Sequence, residues 1–225
     1  MRSAGDAAGA PPFIEGRCVV YARSTTITAQ ASRIDDGINY VNELMPTMSD
    51  IDGCVGMSLL VDRSSRRCIA TTSWESESAM RASRDEVIPI RERLIDTMGG
   101  EIGGVQEWEI AIFHRDHNAP DGAGARVTWA RPRQGELDAT VDVIKASLLP
   151  LLETQQGFCG YSLLIDREAG LACGTASFDS MERLAATRDF AAQQRAKMAE
   201  RTGVEIVDVL ECELAVHHLR VPELV

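Results

Sequence analysis

Slid against itself by 104 residues, the sequence matches itself without a gap over 62 positions, and 22 of those are identical. The register carries GCVGMSLLVDRSSRRCIATTSWESESAMRASRD, from Gly53, onto GFCGYSLLIDREAGLACGTASFDSMERLAATRD, from Gly157, and runs on to His114 over His218. A chain that repeats itself this way must fold as two similar units. Upstream the match is weaker, with Pro46 on Pro150 and the Ala22-Arg23 pair on Ala130-Arg131.

Each half has the same local pattern. Residues 17–23 and 126–131 are short, β-branched and aromatic, which predicts strands. Apolar residues then recur as Ile34, Ile38, Val41, Met45 and Met48, and as Leu137, Val141, Ile144, Leu148 and Leu151. Both series are the stripe of an amphipathic helix, and Pro46 and Pro150 are expected to kink or shorten each one. Alternating runs about Asp62–Ser65 and Asp166–Gly170 predict hairpins. A second helix opens at Ser76 or Ser180, each a plausible N-cap, and stops at Gly99 or Gly203. Pro89 should kink the first copy alone, since Gln193 replaces it in the second. A last strand over 105–113 or 207–217 completes βαββαβ, the split βαβ or ferredoxin-like unit.

Such a unit covers one face of its sheet with helices. In this chain both strand phases are apolar: Val55, Met57, Leu59 and Val61 on one, Leu60 with Gly56 and Ser58 on the other. A sheet apolar on both faces must be covered on both, and the other half's sheet is the simplest cover. The expected fold is therefore α+β, two ferredoxin-like repeats packed sheet to sheet as an intramolecular α/β barrel. Its expected divisions are a disordered segment over 1–16, repeats over 17–114 and 126–225, and a linker over 115–125.

Composition narrows the function. Thirty-four acids against 23 bases leave a net charge of −11, and no Lys/Arg cluster appears. That argues against a nucleic-acid partner. Residues 1–12 carry no apolar core of signal-peptide length, and no run approaches the ~20 apolar residues of a membrane span. Six cysteines without a C-x-x-C pair sit in apolar runs, which predicts free thiols and a cytoplasmic protein. Self-association would use the outer surfaces.

The motif G-x-x-G-x-S-L-L-x-D-R, a turn, a strand-end aromatic and then S-x-x-x-x-x-A-x-R-D resembles the antibiotic biosynthesis monooxygenase-like proteins of the dimeric α/β-barrel superfamily. The resemblance covers both halves. It implies a pocket between sheet and helices for a small apolar or aromatic ligand. The chemistry it implies is cofactor-independent monooxygenation of a quinone-like substrate. The alternative is a non-catalytic stress-related or assembly protein whose duplicated barrel has no active site. Trp74, matched by Phe178, would line the pocket, although an aromatic there also fills core volume. Arg84 and Arg188 are cations that could hold an anionic or quinone-like substrate, or be ion-paired on a helical face. Any surviving pocket is expected in the first half, with Trp74 and a cleft widened at Pro89. The haem-degrading branch implies a helical histidine and an asparagine on strand one. Ser83/Arg84 and Thr187/Arg188 occupy the histidine's stretch and the asparagine is missing, so no haem and no other cofactor is expected.

Glu107 and Glu109, like Glu211 and Glu213, share a strand face. They are expected to pair across strands with Arg17, Arg23 and Arg131 rather than to divide acid and base roles. His114, His117, His217 and His218 all lie at or past a last strand, which predicts a surface cluster and no metal site.

Overall fold

The computed structural model describes residues 19–225. The expectations for 1–16, Arg17 and Cys18 lie outside the described residues. The first half holds β1 (Val20–Thr28), α1 (Ile34–Ser49), β2 (Cys54–Asp62), β3 (Arg67–Trp74), α2 (Glu77–Ala82), α3 (Arg84–Thr97) and β4 (Glu101–Arg115). The second repeats the order with β5 (Gly124–Arg131), α4 (Leu137–Val143), α5 (Leu149–Glu153), β6 (Phe158–Asp166), β7 (Leu171–Phe178), α6 (Met181–Ala186), α7 (Arg188–Thr202) and β8 (Glu205–Leu219).

The eight strands close into one barrel in the order β1-β3-β2-β8-β5-β7-β6-β4. Each half contributes four neighbouring strands in the same internal order, and the halves join at two antiparallel seams, β2–β8 and β4–β6. Closure leaves no sheet edge to protect. The two sheets face one another across an interior built from Ala22, Leu60, Trp108, Ile110, Phe113, Ala125, Val127, Leu210 and Cys212, among others. Two further clusters lie between each sheet and its own helices.

The two-sided strands thus find the expected covers, with shifts of phase: an irregularity between Cys54 and Gly56 leaves Val55 against the interior with Leu60, while Met57, Leu59 and Val61 face the helices. A bulge between Ile110 and Ile112 turns Ile112 to the helix layer and Phe113 to the interior with Trp108 and Ile110. The hairpins pair Val61 with Cys68 and Leu164 with Cys173, which sets no two cysteines opposite one another there, and the five described cysteines are free.

Three local expectations need correction. The helix after β5 does not follow a straight stripe: Ile144–Leu148 is a π turn, in which the Leu149 N–H reaches back to the Ile144 carbonyl. Pro150 has no N–H for the usual bond, and the extra residue in the turn absorbs the mismatch. The inward face then shifts by one, so Leu149 and Leu152 are buried while Leu151 is 41% exposed. In the first half α1 runs through Pro46 to Ser49.

The second helix of each half is two helices, broken at Ser83 and Thr187 rather than at Pro89. Ser76 and Ser180 do cap the short first pieces, accepting from the Ala79 and Arg183 amides. The break is built by a buried arginine. Arg23 donates to the Met80 carbonyl at 2.7 Å and Arg126 to the Leu184 carbonyl at 3.0 Å. The Ser83 and Thr187 hydroxyls donate to the same carbonyls at 2.8 Å. Carbonyls satisfied from the side no longer need a following helical turn.

Those arginines also correct the alignment. Arg126 lies 103 residues after Arg23, and both stand opposite corresponding residues of the next strand, Thr72 and Ala176. The equivalent of Ala22-Arg23 is therefore Ala125-Arg126, not Ala130-Arg131. The ion pairs follow suit: Arg23–Glu107 at 2.9 Å and Arg126–Glu211 at 2.8 Å, while Arg131 donates to the Ala169 carbonyl. Glu109 and Glu213 instead pair across the seams, with Arg167 and Arg63 of the opposite half.

Candidate functional site

Each half has a cavity between sheet and helices, and the two differ in size. The first, about 40 Å³, is bordered by Ala70, Thr72, Val87, Ile90 and Leu94. The second, about 110 Å³, has Gly174, Ala176, Ala191, Gln194 and Met198 at the corresponding places. Smaller side chains at Gly174, Ala176 and Ala191, in place of Ala70, Thr72 and Val87, are what open it. The roomier pocket is thus in the second half, contrary to the expectation for the first. Pro89 opens nothing, because α3 continues through it.

The wall of the second cavity is mostly apolar, and among the polar side chains bordering it are Tyr161, Arg126 and Arg195. Tyr161 is 7% exposed and borders the cavity. Its hydroxyl has space only because position 174 is glycine: a Cβ there would stand 2.4 Å from the phenolic oxygen. Among the described residues that hydroxyl makes no hydrogen bond. Burial pushes its pKa well above the ordinary range, so it stays protonated and can donate. Arg126 borders the cavity while held by Glu211, Thr187 and Leu184. Arg195, half-buried on α7, forms no ion pair with any described residue. Burial, and then the Arg126 cation, pull its guanidinium below its usual range, offset in part by Glu211.

The structure does not bring the four sequence candidates together at this cavity. Trp74 and Phe178 are fully buried and border neither sheet–helix cavity. The Trp74 indole N–H is already used, donating to Thr72 Oγ1 at 3.0 Å. Arg84 and Arg188 are about three-fifths exposed and reach Glu107 and Glu211 at 3.5 and 2.7 Å. Arg195 went unnoticed, although the repeat preserves it as Arg91, seven residues past Arg84. Trp74→Phe should therefore destabilise the fold by about 1–2 kcal/mol, through a lost hydrogen bond and an unfilled space. It should leave ligand affinity within twofold. Urea midpoints beside calorimetric titration check this; weakened binding at unchanged stability would return Trp74 to a pocket role.

A third cavity, about 180 Å³, lies between the two sheets and carries a belt of hydroxyls repeated in both halves. Ser58, Thr71 and Ser73 match Ser162, Thr175 and Ser177. At its rim His117, from the segment joining the halves, meets Cys159 and Asp179. The histidines do not form one cluster: His114 faces Glu153 and Glu223, and His117 faces Asp116 and Asp179.

No protein-family model matches the chain. Two uncharacterized proteins of Mycobacterium tuberculosis H37Rv, Rv2557 and Rv2558, are each 47% identical to it. The matches cover 98% of this chain and 99% and 94% of theirs. Among solved structures, a provisionally named monooxygenase from Lactobacillus acidophilus superposes with a TM-score of 0.63 at 7% identity, over 91% of this chain and 97% of its own. An anthrone oxidase-like protein gives 0.60 at 11% identity, over 91% and 92%. At such identities the likeness is one of fold. The chain belongs to the family of the two mycobacterial proteins, and its closed eight-stranded α/β barrel has the fold of those solved structures.

Proposed function

We propose that this protein binds a small, largely apolar or aromatic molecule with one polar end in the sheet–helix cavity of its second half. The observation that carries the reading is the unpartnered Tyr161 hydroxyl, buried in an apolar cavity that the equivalent half has nearly filled. The hydroxyl opens onto the cavity, and a bound carbonyl or phenolic oxygen would give it an acceptor, a hydrogen bond worth about 0.5–1.5 kcal/mol. Arg195, unpaired at the same cavity, suits a carboxylate or an ionised phenol. At about 110 Å³ the space fits a single ring, by comparison with an engineered apolar cavity of about 150 Å³ that takes up benzene.

Cofactor-independent oxygenation of a quinone-like molecule is the chemistry the family resemblance suggests for such a ligand. The cavity offers orientation and two cations, and among its lining residues no histidine or carboxylate to act as base. A substrate would have to enter already ionised, as a phenolate beside Arg195. The rival, a barrel duplicated only for its fold, is disfavoured by the difference between the halves, since packing alone gives no reason to open one cavity and fill the other. The five described cysteines are free thiols, which suits a reducing compartment, and we place the protein in the cytoplasm.

Binding of hydroquinone and benzoate, followed by ligand-observed NMR and calorimetry, tests the reading. Tyr161→Phe should weaken the better ligand about tenfold, the ~1.4 kcal/mol of one hydrogen bond. Ala191→Leu, which fills the cavity, should abolish binding. Failure of both ligands to bind the wild-type chain, or unchanged affinity in Ala191→Leu, would overturn it.

A further inference from the structure

We propose that His117, Cys159 and Asp179 form a site for one divalent zinc-like ion, with an open coordination position facing the inter-sheet cavity. The three ligand atoms lie within 4.8 Å of one another. His117 Nε2 is 2.8 Å from Asp179 Oδ1, and Cys159 Sγ is 3.4 Å from the same oxygen. A tetrahedral ion with bonds of about 2.0–2.3 Å holds its ligand atoms roughly 3.3–3.8 Å apart. Only a small outward movement would admit one. Nitrogen, thiolate and carboxylate together suit zinc, and the two anions neutralise its charge.

The surroundings have what a metal-binding histidine needs. The other ring nitrogen, Nδ1, faces Asp116 Oδ2 at 2.8 Å, which orients the imidazole and leaves Nε2 toward the ion. The segment carrying both residues is tied to the third, because the Asp116 and His117 amides donate to the Cys159 carbonyl at 2.9 and 3.2 Å. His117 and Cys159 both border the hydroxyl-lined cavity. A water or a small oxygen ligand on that side would complete the coordination, as at zinc sites with three protein ligands.

The repeat shows that the fold does not require these residues. The positions matching Cys159, Asp179 and His117 are Val55, Glu75 and Val221. A valine evidently serves the barrel where Cys159 stands. The donor set occurs in one half only, as expected of a site added to the scaffold rather than of one inherited with it. It is also separate from the apolar cavity of the second half, so the two proposals can fail independently.

The test uses the full chain, reduced, with Co2+ and Zn2+ as the probes. One Co2+ per chain should bind and give the near-ultraviolet absorption of a cobalt–thiolate bond. Cys159→Val should lose that band and weaken Zn2+ at least tenfold, as should His117→Ala. Asp116→Asn should weaken Zn2+ about tenfold through the ring orientation alone. If Cys159→Val does not fold, His117→Ala, altered at a side chain 43% exposed, decides the matter alone. No metal uptake by the wild-type chain, uptake without the thiolate band, or uptake unchanged in His117→Ala would overturn the proposal.

Discussion

Gly56→Ala should lower the free energy of unfolding by about 3 kcal/mol and split a single urea transition into two. Gly56 pairs with Leu219 across the β2–β8 seam, with φ at +150°. A Cβ added there would stand 2.2 Å from the His218 carbonyl oxygen and 2.8 Å from the Leu219 Cα. Both are backbone atoms, so no rotamer change relieves the collision and the seam itself must part. Overpacking costs about 1–3 kcal/mol, and a backbone angle that alanine tolerates poorly adds to it. A Cβ at Gly160, at the other seam, would stand 2.6 Å from the His114 carbonyl oxygen, so Gly160→Ala should also destabilise, with the collision but without the added backbone strain. Gly104→Ala is the control, since nothing lies within 4 Å of a Cβ there. Far-ultraviolet dichroism and tryptophan fluorescence in urea would report the effect. A loss below about 0.5 kcal/mol would mean that the seam relaxes freely and does not need glycine.

That pair of glycines also marks how far the sequence could be read. The motif G-x-x-G pointed to the fold before any contact was known. The structure supplies a physical reason for its second glycine, the close approach of the two halves. The repeat, the hairpins and the doubly covered sheet were legible because each rests on a period or an identity visible within one half. The counterpart of Arg23 in the second half was not. Ala22-Arg23 resembles both Ala125-Arg126 and Ala130-Arg131, and only burial distinguishes them: Arg126 is 6% exposed, whereas Arg131 lies at the surface. The π turn was hidden for a similar reason, since Pro150 announces a disturbance without saying how the chain absorbs it. The wider second cavity arises from several small substitutions, each unremarkable alone. Cys159, Asp179 and His117 come from a strand, the residue after the next strand and the joining segment, so no spacing could show them together.

The two buried arginines carry the second large effect. Arg126 Nη2 lies 2.8 Å from Glu211 Oε1, and Arg188 holds the other carboxylate oxygen at 2.7 Å. Glu211→Gln keeps the shape and removes the charge, leaving the Arg126 cation in the interior with only Thr187 and the Leu184 carbonyl as other acceptors. Removing one partner of a buried pair costs about 3–5 kcal/mol. The lower end applies, because the carboxylate is 21% exposed. Arg188→Ala should have a far smaller effect than Glu211→Gln, as its side chain is 62% exposed and solvent screens the pair. The double variant Arg126→Met/Glu211→Gln should be no less stable than Glu211→Gln alone, since most of the single loss is the stranded cation. The pH dependence has a definite sign. Burial raises the Glu211 pKa, but hydrogen bonds and charge from Arg188 and Arg126 outweigh it and hold the carboxyl below its ordinary value. Its stabilisation is therefore fully present above the unfolded-chain value of about 4.3 and fades as pH falls through the lower folded value. Urea midpoints of wild-type and Glu211→Gln chains should differ most near neutrality and converge in acid. A gap that stays constant down to pH 2 would show that the carboxylate charge contributes nothing and that Gln merely packs badly beside Arg126.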